Sequence, residues 1–150
     1  MNKTKRHLKC VNNQQLKSQF SSITQKNIFW GEDYAGLHLV ADFWYPKSIE
    51  DKNKFNKILK EAARRGGNTP LKIAIHRFDP QGITGIVLLA ESHIALHSWP
   101  EFNYLAVDIF TCGKKSMPAK ALEYLKEVFQ PKEIKITEIK RGKIWIFMRL

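Results

Sequence analysis

Between residues 71 and 112 three apolar segments, 71–78, 83–99 and 103–112, are separated only by Asp79-Pro80-Gln81-Gly82 and by a short break after Trp99. Runs rich in Ile, Val and Leu and punctuated by Pro and Gly read as strands joined by turns. Turns this short leave no room for the crossover that a parallel neighbour needs, so the middle of the chain is expected to pair antiparallel. An earlier strand is predicted over 37–44, where Leu37, Leu39, Ala41 and Phe43 alternate with His38, Val40, Asp42 and Trp44.

Two helices interrupt the strands. The first is expected to be capped by Ser48 with Asp51 completing a capping box, to bury Phe55, Ile58, Leu59 and Ala62, and to stop at Gly66-Gly67. The second opens at Ser116 and Pro118, carries Leu122, Leu125, Val128 and Phe129 on one side, and ends at Pro131. Strand-like Ile134, Ile136 and Ile139 follow, then a turn at Arg141-Gly142 and the apolar residues 144–148. This order predicts an α+β fold, a two-layer sandwich of a mostly antiparallel sheet with both helices packed on one face.

A chain of 150 residues with 43% hydrophobic content supports one core and is too short for two ordinary domains. We divide it into a basic N-terminal extension, 1–35, and a folded domain, 36–150. The extension is rich in Asn, Gln, Ser and Lys, and is either a flexible arm or an add-on that packs a few apolar side chains on the main body. The net charge of +11 raises the question of nucleic acid. Its distribution argues against that partner: residues 1–35 carry +4, 114–150 carry +6, and 36–113, which hold the polar motif described next, only +1. Two cysteines, Cys10 and Cys112, make no disulfide framework, so a reducing cytoplasm is expected. No secretory signal or membrane-spanning segment is legible.

The chemistry concentrates in Glu91-Ser92-His93-Ile94-Ala95-Leu96-His97-Ser98-Trp99-Pro100-Glu101 and in Phe110-Thr111-Cys112-Gly113. Ser92 follows the apolar run 86–90 at a strand end. A hydrolase-type nucleophile elbow would place Gly two residues either side, where this chain has Ala90 and Ile94. His93 and His97 with Cys112 raise a zinc or copper site, but the ligand count is thin, so no metal is expected. His7, His38 and His76 read as hydrogen-bonded structural residues.

Both motifs resemble the processing and active-site signatures of the pyruvoyl-dependent S-adenosylmethionine decarboxylases of the short bacterial and archaeal type, over about residues 37–140. The resemblance implies that Ser92 attacks the carbonyl of Glu91, that the chain is cut between them, and that Ser92 becomes a covalent pyruvoyl group able to form a Schiff base with the substrate amine. It further implies that His97 does the acid-base work of processing, that Thr84 assists the acyl shift where many relatives have Ser, and that Cys112 protonates the substrate carbon after carbon dioxide leaves. Phe78 and Trp99 match positions around the family's adenine pocket, and Glu101 would accept hydrogen bonds from ribose. Asn103, where relatives commonly have Gly, is expected to keep a left-handed turn.

The implied substrate is S-adenosylmethionine, the implied product the aminopropyl donor for polyamine synthesis, and the implied assembly a homodimer with facing sheets in which the partner completes each pocket. Decarboxylation of an amino acid needs an electron sink that no ordinary side chain offers, which accords with a carbonyl cofactor. Two other readings are weighed: a decarboxylase of the same fold acting on arginine or ornithine, and an unprocessed basic protein that binds RNA or regulates. In an unbroken strand Ser92 and His97 project to opposite faces, so direct contact would require a bend, a bulge or the chain break itself.

Overall fold

Strand β1, Tyr34–Trp44, lies inside the sheet, paired antiparallel on both edges. The computed structural model describes residues 34–143, so expectations for the N-terminal extension up to residue 33 and for the apolar residues 144–148 lie outside the described residues. Tyr34 and Ala35, assigned to that extension from sequence, are the first two residues of β1.

Five more strands and two helices follow: α1 (Lys52–Arg65), β2 (Pro70–Arg77), β3 (Ile83–Leu89), β4 (Ser92–Trp99), β5 (Tyr104–Thr111), α2 (Pro118–Phe129) and β6 (Glu133–Lys143). The sheet order is β2-β3-β4-β5-β1-β6, and every neighbouring pair is antiparallel. This is the expected α+β two-layer sandwich. No helix among the described residues is long and apolar enough to cross a membrane.

The period-two patterns decide which face the helices cover. Leu37, Leu39, Ala41 and Phe43 of β1, Ile83, Val87 and Leu89 of β3, Ile94 and Leu96 of β4, and Leu105, Val107 and Ile109 of β5 form one buried core. It is closed by Phe55, Ile58, Leu59 and Ala62 of α1 and by Ala121, Leu122, Leu125 and Phe129 of α2. The intervening strand residues point away from the helices, and that open face carries Trp44, Ile86, Leu88, Trp99 and Ile139 exposed.

Four local expectations are corrected. The segment 83–99 is a hairpin and not one long strand: Leu89 and Ser92 pair across the two-residue turn Ala90-Glu91, which lacks the Gly or Pro that would have announced it. Helix α1 is capped by Asp51, whose carboxylate accepts from the Lys54 N–H at 2.6 Å, and not by Ser48. Helix α2 starts on Pro118, with Met117 at the cap position and no side-chain cap hydrogen bond, so Ser116 does not open it. Arg141-Gly142 is no turn, since β6 runs through it to Lys143 opposite Tyr34; Gly142 has φ 68°, and a Cβ there would lie 2.8 Å from that of Ala35. Asn103 adopts the expected left-handed conformation, φ 50° and ψ 46°.

Gly85 lets α1 approach β3. A Cβ at this position would stand 2.7 Å from Leu59 Cδ1 and 2.8 Å from Phe55 Cε1, both fully buried. Gly85→Val is therefore expected to destabilise the fold by about 1–3 kcal/mol through overpacking, read as a lower urea midpoint; an unchanged midpoint would refute this account of the contact.

Candidate active site

The β3–β4 hairpin brings Glu91 and Ser92 to one end of the sheet beside the end of β5. Ser92 pairs with Thr111 across β4 and β5, which leaves Cys112 next to the hairpin turn. The Glu91 carbonyl accepts two hydrogen bonds there, from the Cys112 N–H and from the Cys112 thiol, both 3.0 Å. Two donors converging on one carbonyl oxygen can stabilise negative charge developing on it, as in an oxyanion hole.

Ser92 has φ 145°, a conformation that residues with a side chain rarely adopt. Such a backbone costs on the order of 1–3 kcal/mol and persists only where its surroundings fix it. Its hydroxyl lies 3.3 Å from Nδ1 of His93. Partial burial holds the His93 pKa below the ordinary histidine value, assisted by the nearby charges of His38 and Arg141 and opposed by Asp108. A neutral His93 whose proton sits on Nε2 offers Nδ1 as acceptor for the Ser92 hydroxyl proton. His93 belongs to an open-face cluster in which His38 Nε2 pairs with Asp108 Oδ1 at 3.2 Å and the His93 ring meets Phe110 edge-on. The hydrogen-bonded role expected for His38 is thus observed, while His76 lies T-shaped against Phe78.

A second group of expected residues gathers toward the other end of β4. Thr84 and His97 pair across β3 and β4 on the open face, Thr84 Oγ1 to His97 Nδ1 at 3.1 Å. Trp99 stacks on Tyr104 with ring centroids 5.5 Å apart and stands 6.0 Å from His97. Phe78 closes the β2–β3 turn through its N–H to the Gly82 carbonyl, and Glu101 is reached by Gln81 Nε2 at 3.5 Å. Phe78 and Trp99 are 49% and 38% exposed.

The fold does not bring the two groups together within one chain. Pairing of β4 is continuous from Ser92 to His97 with β3 and from Ser92 to Trp99 with β5, so no bulge offsets the opposite parity of Ser92 and His97. At about 3.3 Å per residue, five residues set their backbones roughly 16 Å apart. Among the described residues no group of three His, Cys, Asp or Glu could hold a metal ion.

Three residues in or beside the hairpin have a part in this arrangement that the sequence does not announce. Thr69 grips the Glu91 side chain, a partnership across 22 positions with no local signature. His93 reads from sequence only as a candidate metal ligand, although its place beside Ser92 is itself a signal. Thr111 lies fully buried opposite Ser92 with no hydrogen-bond partner for Oγ1.

Because His93 binds its proton less readily folded than unfolded, the unfolded chain takes up that proton first. The resulting stability is fully present above about pH 6.5 and is lost as pH falls through the unfolded value toward the lowered folded one. His93→Phe should flatten that part of the slope in urea unfolding between pH 7.5 and 5.5. An unchanged slope would refute the assignment.

Residues 37–142 match the family model for S-adenosylmethionine decarboxylase. The S-adenosylmethionine decarboxylase proenzyme of Acetivibrio thermocellus is 42% identical over 109 residues, covering 71% of this chain and 88% of that protein. Those of Acidithiobacillus ferrooxidans and Methanococcus aeolicus are 42% and 39% identical over 111 residues, 73% of this chain and 84% and 95% of theirs. The crystal structure of the adenosylmethionine decarboxylase from Aquifex aeolicus superposes with a TM-score of 0.72 at 32% identity, over 78% of this chain and 98% of that one. With a matching fold, a family model spanning most of the chain and relatives covered over most of their length, this protein belongs to the S-adenosylmethionine decarboxylase family.

Proposed function

We propose that this chain is a proenzyme that cleaves itself between Glu91 and Ser92 and then decarboxylates S-adenosylmethionine, supplying the aminopropyl donor for polyamine synthesis. The observation that carries the reading is the Glu91 carbonyl held by both donors of Cys112 beside a serine in strained backbone. Ser92 Oγ bonds to the Glu91 carbonyl carbon, the Glu91–Ser92 C–N bond breaks, and the hydroxyl proton passes to the Ser92 nitrogen. Loss of the Ser92 Cα proton then breaks the Cβ–Oγ bond and expels Glu91 as a free C-terminus. The residual enamine tautomerises and is hydrolysed by water with release of ammonia, which leaves the pyruvoyl group. That group supplies the electron-accepting carbonyl that decarboxylation needs.

His97 serves as the acid-base group of processing, with Thr84 holding its Nδ1, and Cys112 protonates the substrate carbon. Phe78 and Trp99 offer faces for the adenine, and Glu101 accepts from the ribose hydroxyls. The cytoplasm suits this chemistry, since Cys112 must stay a thiol.

The separation of the two groups along β4 supports a homodimer. Two copies packed open face to open face about a two-fold axis that runs across the strands would lay the His97 end of one β4 over the Ser92 end of the other. The exposed Trp44, Ile86, Leu88 and Trp99 on that face favour such burial. Despite its parity, the Ser92 hydroxyl at this strained strand end reaches His93 of the open face, so Thr84, His97, Phe78, Trp99 and Glu101 then act on the partner's Ser92 and Cys112.

Denaturing mass spectrometry of the wild type should give chains of 91 and 59 residues (150 minus 91), the smaller without a free amino end, and Ser92→Ala should stay whole. A wild type that remains one chain, or a cleaved protein that releases no carbon dioxide from S-adenosylmethionine but does so from arginine or ornithine, would overturn this reading. The dimer is tested by mixing two uncut variants. Chains carrying His97→Ala should be cleaved once paired with Ser92→Ala chains, which lend their own His97; if His97 acts within its own chain, the mixture stays uncut.

A further inference from the structure

The turn that carries the cleavage peptide is bolted to a loop remote in sequence. Thr69, just before β2, makes three hydrogen bonds to Ala90-Glu91. Its carbonyl accepts from the Ala90 N–H at 3.0 Å, its N–H donates to Glu91 Oε2 at 2.9 Å, and its hydroxyl donates to Glu91 Oε1 at 3.2 Å. Both carboxylate oxygens are therefore held by one residue, while the Glu91 carbonyl is held from the other side by Cys112.

The same α1–β2 loop is fixed to the chain that follows Cys112. The buried Ser116 hydroxyl donates to Asn68 Oδ1 at 2.7 Å, Asn68 Nδ2 donates to the Gly66 carbonyl at 3.0 Å, and the Met117 N–H donates to that carbonyl at 2.7 Å. Gly67, at φ 67°, has no room for a side chain, since a Cβ would lie 2.6 Å from the Lys115 carbonyl oxygen. The loop thus spans from the Cys112 side of the reacting carbonyl to the Glu91 side chain.

The geometry points to Thr69 as a positioning residue for self-cleavage: by gripping the Glu91 carboxylate it fixes the rotation of the Glu91–Ser92 peptide, so that the Ser92 hydroxyl and the Cys112 donors meet the same carbonyl. This inference rests on the self-processing reading. A turn of two residues without glycine, leading into a serine at φ 145°, needs restraint on more than one side. The first step of cleavage, Oγ–C bond formation with loss of the C–N bond, depends on the approach angle at the Glu91 carbon, where small misplacements slow reaction steeply.

The test follows cleavage with time after cell-free synthesis of the full chain. Thr69→Val keeps the shape and removes the hydroxyl, and cleavage should slow by about tenfold, the rate equivalent of one charge-assisted hydrogen bond. Thr69→Ser should restore a rate close to wild type. In a Glu91→Ala background, itself slow, Thr69→Val should bring no further loss, because its partner is already absent. Thr69→Val placed in the uncut Ser92→Ala chain should melt as that chain does. Wild-type cleavage by Thr69→Val, equal slowing with and without the Glu91 side chain, or a melting temperature that falls with the cleavage rate would overturn the positioning role. A wild-type chain that never cleaves overturns instead the self-processing reading on which it rests.

Discussion

Everything at the end of the sheet that carries Glu91 and Ser92 depends on how one carbonyl is held. The Glu91 oxygen takes both donors of Cys112, and the side chain of the same residue is caught by Thr69, so the peptide ahead of Ser92 is restrained from the β5 side and from the β2 side at once. The hairpin itself is held because β4 is an inner strand, paired with β3 from Ser92 to His97 and with β5 along its whole length. Strain at Ser92 is sustained by this enclosure. Were the turn free, the backbone would relax into an ordinary conformation and the carbonyl would turn away from its donors.

The open face gives the second half of the picture. Its aromatic and aliphatic side chains alternate with His38, Asp108, His93, Thr84 and His97, and the two histidine groups occupy different lengths of β4. Within a single chain the straight strand keeps Ser92 from His97. A composite site built from two copies, as proposed, would turn that separation into an advantage, because a two-fold axis running across the strands reverses the strand and matches unlike ends. The +1 charge of residues 36–113 suits a surface that meets another copy of itself better than one meeting a polyanion.

Much of the sandwich could be read directly. The strict alternation of Leu37, Leu39, Ala41 and Phe43, the helical spacing of Phe55, Ile58, Leu59 and Ala62, and the short connections in the middle left few arrangements open, and the motif residues around Ser92 and Cys112 signalled family membership. What escaped was the hairpin inside 83–99. Its turn is made by Ala90 and Glu91, residues with no turn preference, and the cause of the break lies in hydrogen bonds from Thr69 and Cys112, 22 and 21 positions away. Local pattern carries no trace of such partners. The same holds for the Asp51 cap, which won over Ser48 because the chain enters the helix only at Lys52, directly after an extended Asp51. Gly142 likewise invited a turn, yet supplies a backbone conformation inside a paired strand.

The sheet order has one further consequence for a chain severed at residue 91. The upstream piece would own β1, β2 and β3, and the downstream piece β4, β5 and β6, yet the spatial order β2-β3-β4-β5-β1-β6 seats β1 between two strands of the other piece. The halves are interleaved like fingers of clasped hands. Parting them would mean tearing the ladders on both edges of β1 as well as the β3–β4 seam, so the nicked protein would remain a single cooperative body, and the cut would release chemical reactivity without releasing a subunit.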